Sequence, residues 1–257
     1  MRVVRRLVLQ AFVVFLSIYG LATIFLLNPQ FSYAHKTQIG QVRIYHNRTL
    51  PKAFETLLIK SISLAQNSTL YDANLEIDLC FNEGNLYPKV IGYFRGGIAY
   101  SFSDKVVFNY GELDVTKNHV SCESGIEKPK YNYWKLDELM AHEITHTLQY
   151  NQNSFHALKS DTWKVEGYAE YIARADRDNF INNFEYMRAQ KPVHAGGLAW
   201  LTFEDGTAIP LSYMKSWLCV QYLIDIENRT HAEVLEEKRT LKELESDICT
   251  YILKKQT

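Results

Sequence analysis

The pattern H-E-x-x-H at residues 142–146 constrains the fold of this 257-residue chain more than any other feature. In a helix, four residues at about 100° each return to within about 40° of the starting direction, so His142 and His146 project from one face. Two imidazoles placed in this way can share one metal ion, and Glu143 emerges beside them, where its carboxylate can take a proton from an activated water. The pattern therefore predicts a helix that carries a hydrolytic metal centre. The alternative is a surface helix whose histidines face solvent.

The segment W-K-V-E-G-Y-A-E-Y at residues 163–171 supplies a third ligand, which a catalytic zinc site usually needs. Val165 and Ala169 at helical spacing can face a core, which leaves Glu166 and Glu170 one turn apart on a neighbouring face. Nineteen residues separate His146 from Glu166, enough for one connection and a second helix packed against the first. The alternative for both glutamates is a solvated helix face.

Taken together, the two motifs resemble those of the gluzincin metallopeptidases, the thermolysin-like clan, and the E-G-x-A-E-Y form is similar to that of small peptidase-MA-type members. The resemblance implies that His142, His146 and Glu166 bind Zn²⁺ and that Glu143 is the general base. It also implies that Glu170 orients the first histidine through the other ring nitrogen.

The same resemblance implies a hydrogen-bond donor to the oxyanion, a Tyr or His that follows the third ligand in the chain. Tyr213, at the start of an apolar helix, and His194, in a loop beside two glycines, are the candidates, and Tyr213 is preferred. The alternative for each is ordinary packing or exposure to solvent. Members of the clan also bind the substrate backbone along an edge strand, for which residues 98–109 are the candidate.

The periodicities predict an α+β protein, and the resemblance to gluzincins implies a zincin-like arrangement. An N-terminal lobe with a mixed sheet and the active-site helix is followed by a helical C-terminal lobe, and one transmembrane helix precedes both. The predicted strands are residues 41–46, 74–81 and a strand pair or edge strand at 98–109. The predicted helices are residues 51–65, 137–150, 163–175, 211–227 and 231–253.

The N-terminus carries an uncharged run at residues 7–27, preceded by Arg2, Arg5 and Arg6 and stopped by Asn28 and Pro29. At about 1.5 Å per residue the run is about 31 Å long, which matches the thickness of the hydrocarbon layer. The arginines predict a cytoplasmic N-terminus and an extracytoplasmic remainder. Residues 1–34 are thus a signal anchor or, alternatively, a cleaved signal peptide that would release a secreted protein. Residues 35–257 form the predicted zincin-like metallopeptidase domain.

Composition excludes two other classes. The 28 basic and 29 acidic residues give a net charge of −1, which argues against a nucleic-acid-binding protein. A hydrophobic content of 47% argues against a disordered chain.

The four cysteines, at positions 80, 122, 219 and 249, have no C-x-x-C spacing. In an exported domain they permit three disulfide pairings, of which Cys80–Cys122 with Cys219–Cys249 is favoured, because each bond lies within one predicted lobe. Buried free thiols are the alternative.

These observations predict a membrane-anchored, extracytoplasmic zinc peptidase that acts on a peptide or protein substrate, in the periplasm or at the cell exterior. Two alternatives remain: a catalytically inactive gluzincin-like domain that binds a protein partner, and a tethered binding module without a metal. An intact Glu143 argues against the first, because a purely structural metal site needs no general base.

Overall fold

The computed structural model describes residues 2–95, 98–122, 134–175, 179–195 and 197–256. The helices are α1 Arg2–Leu27, α2 Lys52–Ala65, α3 Leu86–Arg95, α4 Leu136–Lys159, α5 Thr162–Ala173, α6 Phe180–Ala189, α7 Leu211–Gln221, α8 His231–Glu236 and α9 Leu241–Gln256. The strands are β1 His35–Ile39, β2 Val42–His46, β3 Ile77–Cys80, β4 Ala99–Phe102, β5 Lys105–Phe108, β6 Tyr110–Asp114, β7 His119–Cys122, β8 Trp134–Lys135, β9 Val193–Ala195, β10 Leu198–Thr202 and β11 Ala208–Pro210. A 3-10 turn, Pro29–Ser32, follows α1, and a π-helical turn, Tyr222–Ile226, follows α7.

The main sheet has the strand order β1-β2-β3-β5-β4. Strands β2, β3 and β5 are parallel, and helix α2 makes the crossover that the parallel β2–β3 pair requires. Strand β1 pairs with β2, and β4 with β5, both in the antiparallel sense. Strand β4 therefore lies at one edge of this sheet.

The two faces of the main sheet are covered by different helices. Ile44, Leu79 and Val106 point to the face that packs against α2 and α4. Their neighbours Tyr45 and Cys80 point to the other face, because successive side chains of a strand alternate. There they pack with the buried Tyr87 and Ile91 of α3. The predicted active-site helix α4 and the helix α3 thus lie on opposite sides of one sheet.

A second apolar core follows in the chain, built mainly from α5, α6, α7 and α9, with Trp217 of α7 fully buried within it. Helices α5 and α7 approach closely at Gly167, where a Cβ would lie 2.4 Å from the backbone oxygen of Ser216. A three-stranded sheet, β9-β10-β11, precedes α7. A third sheet, β6-β7-β8, leads into α4.

The predicted α+β class is confirmed. Most predicted elements are present, with the strand at residues 74–81 reduced to β3 and residues 98–109 forming the β4–β5 pair. The single helix predicted for residues 231–253 is wrong, because the chain forms two helices, α8 and α9. Local caps override the periodicity: Glu237 accepts hydrogen bonds from the next two backbone amides, and Thr240 caps the start of α9. The helical C-terminal lobe also contains the β9-β10-β11 sheet, which the sequence analysis missed.

The two disulfide pairings favoured from the sequence are wrong, since Cys80, Cys219 and Cys249 are free thiols. Cys80 and Cys219 are fully buried in separate apolar cores, where they pack as small hydrophobic side chains. Burial raises the pKa of the Cys219 thiol to about 12, which keeps it protonated.

Helix α1 is long and apolar enough to cross a membrane, with the most apolar part at Leu9–Leu27. No residue of that stretch is fully buried against the rest of the described protein. By length and composition it is a candidate membrane span or a signal sequence.

Candidate metal centre

Three side chains from two helices converge on one point. The Nε2 atoms of His142 and His146 on α4 are 3.0 Å apart, and each lies 3.3 Å from Oε2 of Glu166 on α5. A tetrahedral ion with bonds of about 2.0–2.1 Å separates its ligand atoms by about 3.3–3.4 Å. Two nitrogens and one carboxylate oxygen at these distances fit a zinc ion that has one position left for water or substrate. The three residues therefore form a possible metal site.

The opposite ring nitrogens of both histidines face oxygen atoms. Nδ1 of His142 lies 3.2 Å from Oε1 of Glu170, and Nδ1 of His146 lies 2.8 Å from Oε1 of Gln149. The amide of Gln149 donates in turn to the backbone oxygen of Val165 on α5, at 3.1 Å. An oxygen at Nδ1 favours the tautomer with its proton there, which leaves the Nε2 lone pair for a metal.

The charges of the site are strongly coupled. Burial alone would lower the pKa of His142, but the adjacent Glu170 and Glu166 raise it well above its usual value. The two histidines hold the pKa of Glu166 far below its usual range, against the effect of burial. Burial likewise opposes ionisation of Glu170, yet Arg174 and His142 lower its pKa to about 2. Both glutamates are thus anionic, as metal binding and the orientation of His142 require.

Arg174 stabilises this arrangement through the carboxylates of Glu170 and Glu138. Its Nε donates to Oε2 of Glu170 at 2.6 Å, and its Nη1 donates to Oε2 of Glu138 on α4. The buried guanidinium also stands 5.6 Å from the ring centroid of Trp217 on α7. One buried cation therefore ties together the two ligand-bearing helices and α7, and it pairs with both carboxylates, which offsets their burial.

Glu143 contacts strand β4. The hydroxyl of Ser101 lies 2.5 Å from Oε2 of Glu143 and 2.8 Å from its backbone oxygen. Ser101 belongs to the edge strand of the main sheet, so the edge predicted to bind substrate lies directly beside the predicted general base.

Of the two predicted oxyanion donors, the structure brings only Tyr213 to the site. It lies in the first turn of α7, with its ring stacked on that of His142 at 6.1 Å and 26°. Burial raises the pKa of Tyr213, and Glu166, Glu170 and Glu143 raise it further, so the phenol keeps its proton. His194 instead lies exposed on β9, apart from this group of contacts.

Gln149, Arg174 and Ser101 are among the contacting residues that were missed from the sequence. Gln149 lies three residues after His146 on α4, and Arg174 lies four residues after Glu170, directly after the end of α5. These spacings could have indicated them. Ser101 lies on a strand more than forty residues before Glu143, and no local pattern links the two.

Comparison with known proteins gives one family. The model of the Peptidase_M9 family, described as collagenase, matches residues 112–246, just over half of the chain. The match includes α4, α5 and α7 and therefore every residue of the possible metal site, but not the main sheet. The curated proteins and the solved structures contain no match.

Proposed function

Because the chain belongs to the collagenase family of zinc metallopeptidases, Peptidase_M9, we propose that it is a membrane-anchored, extracytoplasmic peptidase of the gluzincin type. The observation that carries the proposal is the triangle of His142, His146 and Glu166 atoms. Two of its edges match a tetrahedral zinc ion, and the third, between the two Nε2 atoms, is about 0.3 Å shorter. Residues 35–257 would form the zincin-like catalytic domain, and the substrate would be a peptide or protein rather than a nucleic acid.

His142, His146 and Glu166 would hold the metal. When bound, zinc supplies Lewis acidity toward the scissile carbonyl and lowers the pKa of a coordinated water. Glu170, fixed by Arg174, holds the His142 ring in the orientation that presents Nε2.

Glu143 then moves the proton. Its carboxylate takes a proton from the attacking water and passes it to the amine nitrogen as the C–N bond breaks. The Ser101 hydroxyl keeps the carboxylate in place through its hydrogen bond to Oε2. The neutral phenol of Tyr213 donates a hydrogen bond to the carbonyl oxygen as negative charge develops there.

Strand β4 would bind the substrate backbone. In the described part of the chain it pairs with β5 alone, so its outer edge can accept an extended peptide as a further strand. A peptide in that position would run past Ser101 and hence past Glu143.

The anchor and topology rest on α1 and on Arg2, Arg5 and Arg6 before it. A span with its basic flank inside places the catalytic domain outside the cytoplasm. A reporter protein that is active only outside the cytoplasm can be fused after residue 257 to test this orientation. We expect the reporter to be active. An inactive reporter would contradict it, and a mature soluble chain beginning near residue 35 would favour the signal peptide.

The catalytic proposal is tested by separating metal binding from hydrolysis. The purified full chain should bind about one zinc ion and cleave peptide bonds. The Glu143→Gln variant should retain the metal and lose hydrolysis by orders of magnitude, because only the proton acceptor is removed. His146→Ala should lose both.

Two outcomes would contradict the proposal. Stoichiometric zinc in a chain with His142, His146 and Glu166 all replaced would place the metal elsewhere. Zinc bound at these residues in a chain that hydrolyses no peptide would favour the inactive, protein-binding alternative.

A further inference from the structure

Helix α3 is apolar on two sides. Tyr87 and Ile91 are buried against the main sheet. Leu86, Lys89, Val90 and Tyr93 follow one another at helical spacing on the opposite side. There Leu86 is 65% exposed and Tyr93 is 86% exposed. A leucine and a tyrosine this exposed on one helix face indicate a surface that contacts something other than water.

This face lies next to the end of α1. The hydroxyl of Tyr87 donates to the backbone oxygen of Leu26 at 2.8 Å, and the rings of Tyr87 and Phe25 are 5.4 Å apart. The amide of Asn85 donates to the backbone oxygen of Ser32, just after α1. Between these contacts Phe31 is 71% exposed. Helix α3 is thus fastened to the last turn of the apolar helix rather than joined to it by a flexible linker.

The fastening fixes the level of α3 relative to a membrane. Leu26 is the penultimate residue of the candidate span Leu9–Leu27, so a span that fills the hydrocarbon layer places Leu26 at the boundary with the headgroups. Tyr87 contacts Leu26 and is therefore also at the headgroup boundary. A helix that lies along the boundary keeps the rest of α3 at the same depth. The exposed face of α3 has leucine, valine and tyrosine with one lysine, and the adjacent turn adds a phenylalanine. This composition is typical of segments that lie in the membrane interface.

We propose that α3 and the turn Pro29–Ser32 lie on the outer surface of the bilayer, with Phe31, Leu86 and Tyr93 among the lipid headgroups and Lys89 near the phosphates. The proposal rests on the membrane anchor of the proposed function. It adds that the catalytic domain is seated on the membrane rather than tethered above it. Because α4 packs on the other face of the sheet, the metal centre is held at a fixed height on the side away from the lipid.

The test uses the full chain in lipid vesicles and a tryptophan introduced at position 93. Lipids with bromine near the headgroup quench tryptophan emission only at short range. The emission added by Tyr93→Trp, above that of the unaltered chain, should fall at least twofold in brominated vesicles. Ile59→Trp is the matched control, because Ile59 is 53% exposed on α2, which covers the opposite face of the sheet. Its added emission should be the same in brominated and ordinary vesicles.

The outcomes separate this proposal from the anchor itself. If the chain floats with the vesicles but the emission added by Tyr93→Trp is quenched no more than that added by Ile59→Trp, the seating is wrong and the anchor stands. The α3 face would then be a site for a protein partner. If the chain does not float with the vesicles, both the seating and the anchor are wrong. Peptide hydrolysis by the same sample shows independently whether the catalytic proposal holds.

Discussion

At the scale of single residues, the proposed role of Tyr213 depends on one atom, its phenolic oxygen. Its protonated phenol lies beside His142 in the candidate metal centre. We predict that Tyr213→Phe lowers kcat by about 10²–10³-fold, because it removes one donor to the developing oxyanion and little else. Steady-state kinetics with metal analysis of the same sample checks this, and the zinc content should be unchanged.

His194→Ala provides the comparison at this scale. His194 is exposed on β9 and does not take part in the contacts of the metal centre, so its removal should leave kcat near normal. Near-normal turnover in Tyr213→Phe together with a large loss in His194→Ala would transfer the oxyanion role to His194.

At the scale of elements, the packing of α5 against α7 decides where Glu166 lies. A Cβ on Gly167 would meet the backbone oxygen of Ser216 at 2.4 Å, and backbone cannot rotate away. We predict that Gly167→Ala forces the two helices apart and lowers the free energy of unfolding by roughly 1–3 kcal/mol. For a domain of this size that corresponds to a loss of roughly 2–4 °C in Tm per kcal/mol, measured by thermal unfolding. Zinc affinity should fall as well, because a shift of α5 at Gly167 moves the adjacent Glu166 relative to the two histidines on α4.

Gly92→Ala in α3 is the matched control for this prediction. Its added Cβ meets the side-chain amide of Asn109, which can turn aside, whereas that of Gly167 meets backbone. The control should therefore lose less stability, helped by the better helix propensity of alanine. Equal or greater destabilisation in Gly92→Ala would contradict the account of the α5–α7 contact.

At the scale of the whole molecule, stability should depend on pH through His231. The imidazole is buried beside the ring of Tyr168, and in the described part of the chain neither ring nitrogen has a hydrogen-bond partner. Burial lowers the pKa of His231 from 6.5 to about 4. Between these values the unfolded chain binds a proton that the folded chain does not, so the free energy of unfolding falls as the pH falls. At pH 4 this one group should lower the free energy of unfolding by about 3 kcal/mol.

Denaturant unfolding of the unaltered chain and of His231→Leu at several pH values measures this term. The other titratable groups are common to both proteins, so the difference between the two pH profiles isolates His231. The variant should lose less stability than the unaltered chain between pH 6.5 and pH 4. His194→Ala, which removes an exposed imidazole, should keep the profile of the unaltered chain. Parallel profiles for the unaltered chain and His231→Leu would contradict the prediction.

The sequence alone determined the features that depend on local periodicity. Residues 142–146 and 163–171 each place their key side chains on one face of a helix, which is fixed by the helical repeat. The candidate span was readable for a similar reason, because its length and lack of charge need no tertiary partner to be recognised. The predicted helix at 231–253 failed where caps at Glu237 and Thr240 outweighed the periodic pattern.

Only the tertiary structure decided which distant segments meet. The contact between Ser101 and Glu143 requires the main sheet to carry β4 against α4, and the contact between Tyr213 and His142 requires α5 and α7 to approach at Gly167. The free thiols follow from the same cause: Cys80 and Cys219 are buried in different apolar cores. Pairings between segments far apart in the chain depend on the packing of the whole core, and no local sequence pattern records them.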